Sequence, residues 1–237
     1  MKTLIDDLRY SFRVLLKTPG FTIVAVLTLM LGIGGNTAIF SIINGVFINW
    51  GSAFKEPEKL VMVWKSRADS GIWSTTPADY RDWRDQAKSF EQIGAYYYSN
   101  YNLISRSEPE KILGASITAN LFPILGIKPV QGRNFLPQDQ QWGSHHVVIL
   151  SHNFWKHHFQ NANVLGQTLN LSGETYNIIG VMPPGAWFAN TRAELWLPFS
   201  FAPNDPSNNR RNHFVYSVAR LKPGVTLEAA RSQMKSI

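Results

Sequence analysis

The sequence predicts an α+β chain in which an amphipathic helix and one transmembrane helix precede a water-exposed domain of mixed strands and helices. Three observations carry that expectation. No residue from Phe21 to Trp50 is charged. The roughly 180 residues that follow, enough for a real core, alternate short β-branched or aromatic runs with helically spaced ones. Hydrophobic residues make up 44% of the chain and charged ones 16%, which excludes a disordered or highly charged tail.

In residues 1–20, Leu4, Leu8, Phe12, Leu15 and Leu16 recur at helical spacing, with Lys2, Asp6, Arg9, Arg13 and Lys17 on other faces. This is the pattern of a helix lying on a membrane surface, and Thr18-Pro19-Gly20 is expected to break it. Residues 21–50 are longer than the apolar core of a cleaved leader and long enough to span a bilayer with tilt. Gly32, Gly34, Gly35, Asn36, Ser41 and Asn44 make the second half of this run too polar for a passive lipid anchor. Small residues let helices approach and buried amides need partners, so Gly32, Gly35, Asn36 and Asn44 are the candidate helix-packing residues. Lys/Arg residues flank the run equally, four on each side, and charge alone leaves its orientation open.

Beyond the span, strands are expected at Leu60–Trp64, Ile112–Ile117, Val147–Leu150 and His213–Leu221, and paired strands within Tyr96–Ile104. A hairpin is expected from Thr168–Leu171 and Tyr176–Val181 around Ser172-Gly173-Glu174. Helices are expected at Pro77–Phe90, at Leu121–Leu125 closed by Gly126, from Ser151 through Phe159, and from Thr226 to Ile237.

Candidate chemistry is sparse. Asp79, Asp82 and Asp85 alternate with Arg81 and Arg84, which reads as a solvated, self-neutralised helix face rather than an acid-base pair. His145, His146, His152, His157 and His158 crowd into a short stretch, but His152 and His157 are five apart and miss the helical ligand spacing, so no metal site is expected. Neither a phosphate-cradling Gly-Lys-Ser/Thr loop nor a Gly-x-Ser-x-Gly elbow occurs, and an enzyme with a cofactor of its own is not expected. With no cysteine, disulfides and thiolate metal sites are impossible. The net charge of +7 is spread without basic blocks, which argues against nucleic acid as a partner.

The opening segments LRYSFRVLLKTPGFT and LGIGGNTAIFSIINGV resemble those of MacB/FtsX-type ABC-transporter permeases. PADYRDWRDQAKSFEQIGAY, ANLFPILGIKPVQGRNF, VVILSHNFWKHHF, LGQTLNLSGETYNIIGVMPPG, LWLPF and ARLKPGVTLEAARSQM then follow in the order of the MacB-type periplasmic core domain. The resemblance implies an inner-membrane protein with a cytoplasmic amino terminus, a single span in this stretch, and a periplasmic domain at 54–237. Within that domain it implies a porter-like subdomain split between 54–118 and 210–237, around an inserted smaller subdomain at 119–209. It also implies partners: an ABC-type ATPase, a second permease copy or half, the lipid bilayer and a periplasmic adaptor. The function implied is coupling of ATP hydrolysis to periplasmic movement for export or extraction of substrate, with no catalytic residues to carry over. The chain is expected to be an amino-terminal fragment, truncated at its carboxyl end. The linker INWGSAFKEPEKLV departs from the family by lacking an apolar, proline-containing stretch. The rival expectation is a membrane-anchored extracytoplasmic ligand-binding or sensor module.

Overall fold

The computed structural model describes residues 54–67, 71–104, 109–186, 193–206 and 209–237, together with 10, 19, 20, 22 and 27–30. Met1–Gly51 and Ser52–Ile237 are separate compact units. In the first, every described residue is helical, Pro19 and Gly20 included. Thr18 and the residues before it, on which the expected helix break also rests, lie outside the described residues; the fixed φ of proline is itself helical, and its missing N–H is harmless in a first turn. Gly32, Gly35, Asn36, Asn44 and most of the expected span lie outside the described residues. Among the described residues no helix is long and apolar enough to cross a membrane.

The second unit is built on one large sheet. Its strands are β1 (Leu60–Val63), β4 (Phe90–Leu103), β5 (Glu110–Ile117), β6 (Gln131–Gly132), β7 (Val147–Leu150), β8 (Thr168–Leu171), β9 (Glu174–Val181), β10 (Leu195–Pro198) and β11 (Tyr216–Leu221). β2 (Lys65–Arg67) and β3 (Gly71–Trp73) form a separate ribbon. The sheet runs β1-β11-β4-β5-β10-β7-β9-β6, and β8 pairs with both β9 and β4. β5–β10 and β7–β9 are parallel; the other pairs are antiparallel.

β4 organises this arrangement. Its first half, Phe90–Tyr96, pairs with β11, and its second half, Tyr96–Leu103, pairs with β5. At its far end Leu103 meets Leu171 of β8, with Ile104 N donating to Asn170 O and Ser172 N to Asn102 O. Strands β4, β5, β10, β7, β9 and β8 thereby close into a ring, which removes the open edges a flat sheet would leave. All six send apolar side chains into one cluster that includes Leu103, Ile112, Val148, Ile178, Leu171 and Leu195, with Phe154 and Trp155 packed onto it. Alternate residues such as Ile149 and Trp196 join a different core, as the two-residue period of a strand requires.

Four α-helices are described in this unit: α1 (Pro77–Gln86), α2 (Leu121–Leu125), α3 (His152–Phe159) and α4 (Leu227–Met234). α1 and α4 cover one face of β1-β11-β4, packing Tyr80, Trp83 and Ala230 against Ile93, Ala95 and Ala219. α2 covers the opposite side, where Leu121, Phe122 and Leu125 meet Tyr96 and Val218. The caps are chemical: Thr76, Ser151 and Thr226 each accept from the backbone N–H three residues on.

Three expectations are corrected. Helix α1 stops at Gln86, because the Lys88 and Ser89 amides turn to the Gln233 side chain of α4 and Phe90 already belongs to β4. Tyr96–Leu103 lies within the single strand β4 rather than forming a pair, its continuous pairing with β5 overriding the turn propensity of Ser99-Asn100. The strand expected from His213 begins as β11 only at Tyr216, preceded by a lone bridge between Val215 and Thr75. Sheet hydrogen bonds cross residues 118/119 and 209/210, through the β5–β10 and β4–β11 pairings.

Candidate functional site

The first residues of the second unit are fastened to its core at one point. Helix α2 ends on Gly126 in the left-handed region, φ +76°, and Lys55 N donates to Leu125 O at 3.0 Å. A Cβ on Gly126 would lie 2.4 Å from Lys55 Cβ, so only glycine lets the chain pass this close. Arg220 of β11, 6% exposed, reaches the same place. Its Nε and Nη2 donate to Ile124 O at 3.1 and 2.6 Å, Nη2 also donates to Lys55 O, and Nη1 donates to Glu56 O at 3.3 Å. The planar fork of a guanidinium spreads its five donors across these separated carbonyls, whereas an ammonium concentrates three on a single nitrogen.

Glu56 adds charge to this clasp. Its carboxylate lies 3.5 Å from Arg220 Nη1 and 2.6 Å from Lys59 Nζ. The Lys59 hydrogen bond, aided by Lys55 and Arg220, holds the Glu56 carboxyl below its ordinary range despite some burial. The clasp thus joins β11, the carboxyl end of α2 and the chain leading in from residue 53.

The α1 carboxylates divide. Asp85 is exposed and pairs with Arg84, as a solvated face should. Asp79, 8% exposed, is not solvated. Its carboxylate accepts from Thr76 N at 3.2 Å in a capping box and from Lys65 Nζ at 3.0 Å. Burial pushes its pKa up, but the Lys65 and Thr76 hydrogen bonds outweigh this and the net shift is downward. Asp82 takes Arg210 at 2.6 Å, joining α1 to the loop before β11.

The histidines also divide. His152, His157 and Glu194 border a cleft of about 450 Å³ beside α3, with His152 Nδ1 buried and without a hydrogen-bond partner among the described residues. His145 and His146 precede β7 and face Glu174 at the start of β9, with His146 Nε2 and Glu174 Oε2 3.8 Å apart. One donor atom from each of His145, His146 and Glu174 lies within 4.8 Å of the others.

The sequence-derived packing residues Gly32, Gly35, Asn36 and Asn44 lie outside the described residues. The motifs of the sequence do not single out Arg220. Its signal was present: a charge set between Ala219 and Leu221 in an otherwise apolar strand needs buried partners.

Residues 22–237 match the MacB-like periplasmic core domain family. The chain belongs to this family. Its fold is similar to the periplasmic region of MacB from Actinobacillus actinomycetemcomitans, at 17% identity and a TM-score of 0.61 over 78% of this chain and 84% of that one. It is also similar to the extracellular domain of the noncanonic ABC-type transporter YknZ from Gram-positive bacteria, at 16% identity and a TM-score of 0.54 over 73% and 88%. At such identities the likeness shows the fold alone. No curated protein matches the chain. The resemblance read from the ordered motifs is confirmed, and this MacB-like core domain places the chain in an ABC-transporter permease family whose core domain is extracytoplasmic.

Proposed function

We propose that this chain is part of the permease component of an ABC transporter and converts ATP hydrolysis by a partner ATPase into movement of its periplasmic domain, for export or extraction of substrate. Residues 21–50 form the span, with the amino terminus in the cytoplasm, and Gly32, Gly35, Asn36 and Asn44 pack it against other membrane helices. Helical Leu27, Leu29 and Met30 are exposed and point around the helix, which supports lipid as their solvent. A second permease copy or half and a periplasmic adaptor complete the assembly.

The observation that carries the mechanical part is the clasp. A domain driven through its leading chain needs that chain held to its sheet, and Lys55 and Glu56 are bonded to both α2 and β11 within a few residues of the expected span. A pull arriving at Lys55 and Glu56 would therefore be passed directly to α2 and β11.

This chain has no native cysteine, so with the partner ATPase and any further permease sequence made cysteine-free, each introduced one is a unique reporter. Lys111→Cys, on β5, is spin-labelled in the permease assembled with its ATPase in lipid. The label-to-label distance between permease copies is expected to change on ATP binding, and identical distributions with and without ATP refute the coupling. In intact cells a membrane-impermeant maleimide is expected to label Lys111→Cys and spare Lys2→Cys; the reverse pattern refutes the topology.

A further inference from the structure

We propose that His145, His146 and Glu174 form a binding site for a divalent transition-metal ion of the zinc class. Consecutive residues in a strand point to opposite faces, yet these two imidazoles lie together, ring centroids 4.3 Å apart. The cause is a tight turn: Val147 N donates back to His145 O at 2.8 Å, an i to i+2 bond that folds the chain just before β7. The opposite wall is fixed by the sheet. Asn177 N donates to His146 O at 2.9 Å and Val147 pairs with Asn177, so the start of β9, where Glu174 sits, is held beside the histidines by backbone bonds.

The side chains are also oriented. His145 is buried and stacked on Trp142, ring centroids 4.4 Å apart. The Tyr176 hydroxyl donates to Glu174 Oε2 at 2.7 Å, the kind of outer hydrogen bond that aims a ligating carboxylate. Tetrahedral zinc with bonds near 2.0 Å sets its ligand atoms about 3.3 Å apart. The 3.8 Å between His146 Nε2 and Glu174 Oε2, and the 4.8 Å limit for the whole set, close to that by rotation of two half-exposed side chains, His146 and Glu174. Gly143 N currently donates to His145 Nδ1; ligation through Nε2 places the ring proton on Nδ1 and releases that one neutral hydrogen bond, on an exposed turn.

Two imidazoles and one carboxylate select borderline ions such as Zn²⁺, Ni²⁺ and Cu²⁺ over Mg²⁺ or Ca²⁺, which demand more oxygen ligands. The fourth position is open to water. A bound ion would staple the β8–β9 hairpin to the 141–146 turn and brace the closed ring where β7 and β9 run parallel.

The test titrates ZnCl₂, and MgCl₂ in parallel, into the untagged full chain in detergent micelles by calorimetry. One zinc per chain with a Kd at or below about 10 µM is expected, with no magnesium heat. His146→Ala and Glu174→Gln are each expected to weaken zinc by at least about tenfold, while the His157→Ala/His158→Ala double variant leaves it unchanged. Copper loaded at the site is expected to show two coordinating nitrogens by electron paramagnetic resonance. Absent zinc binding, affinity unaltered in His146→Ala and Glu174→Gln, or affinity lost in the α3 double variant overturns the proposal. The substituted side chains are half-exposed, so loss of binding with an unchanged circular dichroism spectrum is not misfolding.

Discussion

Replacing Arg220 tests the clasp most directly. Arg220→Met keeps the apolar stem that packs under α2 but deletes every guanidinium bond to Ile124, Lys55 and Glu56. Hydrogen bonds to a charged group contribute about 1.5–3 kcal/mol, and leaving the buried Ile124 carbonyl unpaired costs about 1–3 kcal/mol. The Lys55 and Glu56 carbonyls belong to exposed residues and regain water, and removal of a desolvated charge returns part of the loss. The net expectation is about 3 kcal/mol. For a domain of this size that lowers Tm by roughly 6–12 °C, at about 2–4 °C per kcal/mol. Arg220→Lys is expected to cost at least as much, because it buries a charge that can serve only some of the three carbonyls. Calorimetry gives the Tm, and amide exchange at Lys55, whose N–H bonds Leu125 O, reads the clasp locally. A shift under about 2 °C in both variants, with the Lys55 amide still protected, would falsify the reasoning.

Gly126→Ala drives a Cβ into Lys55 and imposes a positive φ on alanine; it is expected to speed exchange at Lys55, and combined with Arg220→Met to cost less than the sum of the two, measured by a double-mutant cycle. Gly132→Ala places its Cβ 2.0 Å from Ile179 O, where β6 meets β9; denaturant titration should show a loss of at least about 3 kcal/mol, from overlap and a positive φ together. Ser217 on β11 is fully buried with its Oγ unpartnered among the described residues, so Ser217→Ala is expected to stabilise by about 1 kcal/mol in the same titration. Asp79 has a folded pKa below its unfolded value, so its contribution is present at neutral pH and is lost as pH falls from about 5 through the folded pKa. Asp79→Asn is accordingly expected to be less stable than wild type at neutral pH and equal to it near about pH 2, measured by thermal melts across that range.

The elements legible in the sequence were those whose causes are local. Ser151 before an apolar-periodic run capped α3 as expected, and Val147–Leu150 formed β7 with the expected bounds. The β8–β9 turn came out tighter than expected, with only Ser172 and Gly173 between the strands, both at positive φ; the Ser-Gly pair signals such a turn, but register decides whether Glu174 belongs to it. Closure of the strands into a ring was illegible. It depends on Leu103 meeting Leu171 and on two parallel pairings, β5 with β10 and β7 with β9, each joining strands far apart in the chain.

The same distinction governs the sites. Helical spacing speaks only to whether histidines on one helix, such as His152 and His157, can share a metal. It is blind to Glu174, which reaches His146 only because β7 and β9 run side by side. Asp79 shows the converse error: a carboxylate among arginines reads as solvated, yet Thr76 three residues earlier marks it as the far half of a capping box, and its carboxylate also pairs with Lys65 and Arg210. Arg220 joins both lessons. Its position inside a mostly apolar strand demands buried acceptors, and a helix leaves unpaired carbonyls at its carboxyl end, as Ile124 O is here. That α2 ends there, on a glycine that admits the leading chain, makes the clasp a product of helix termination as much as of charge.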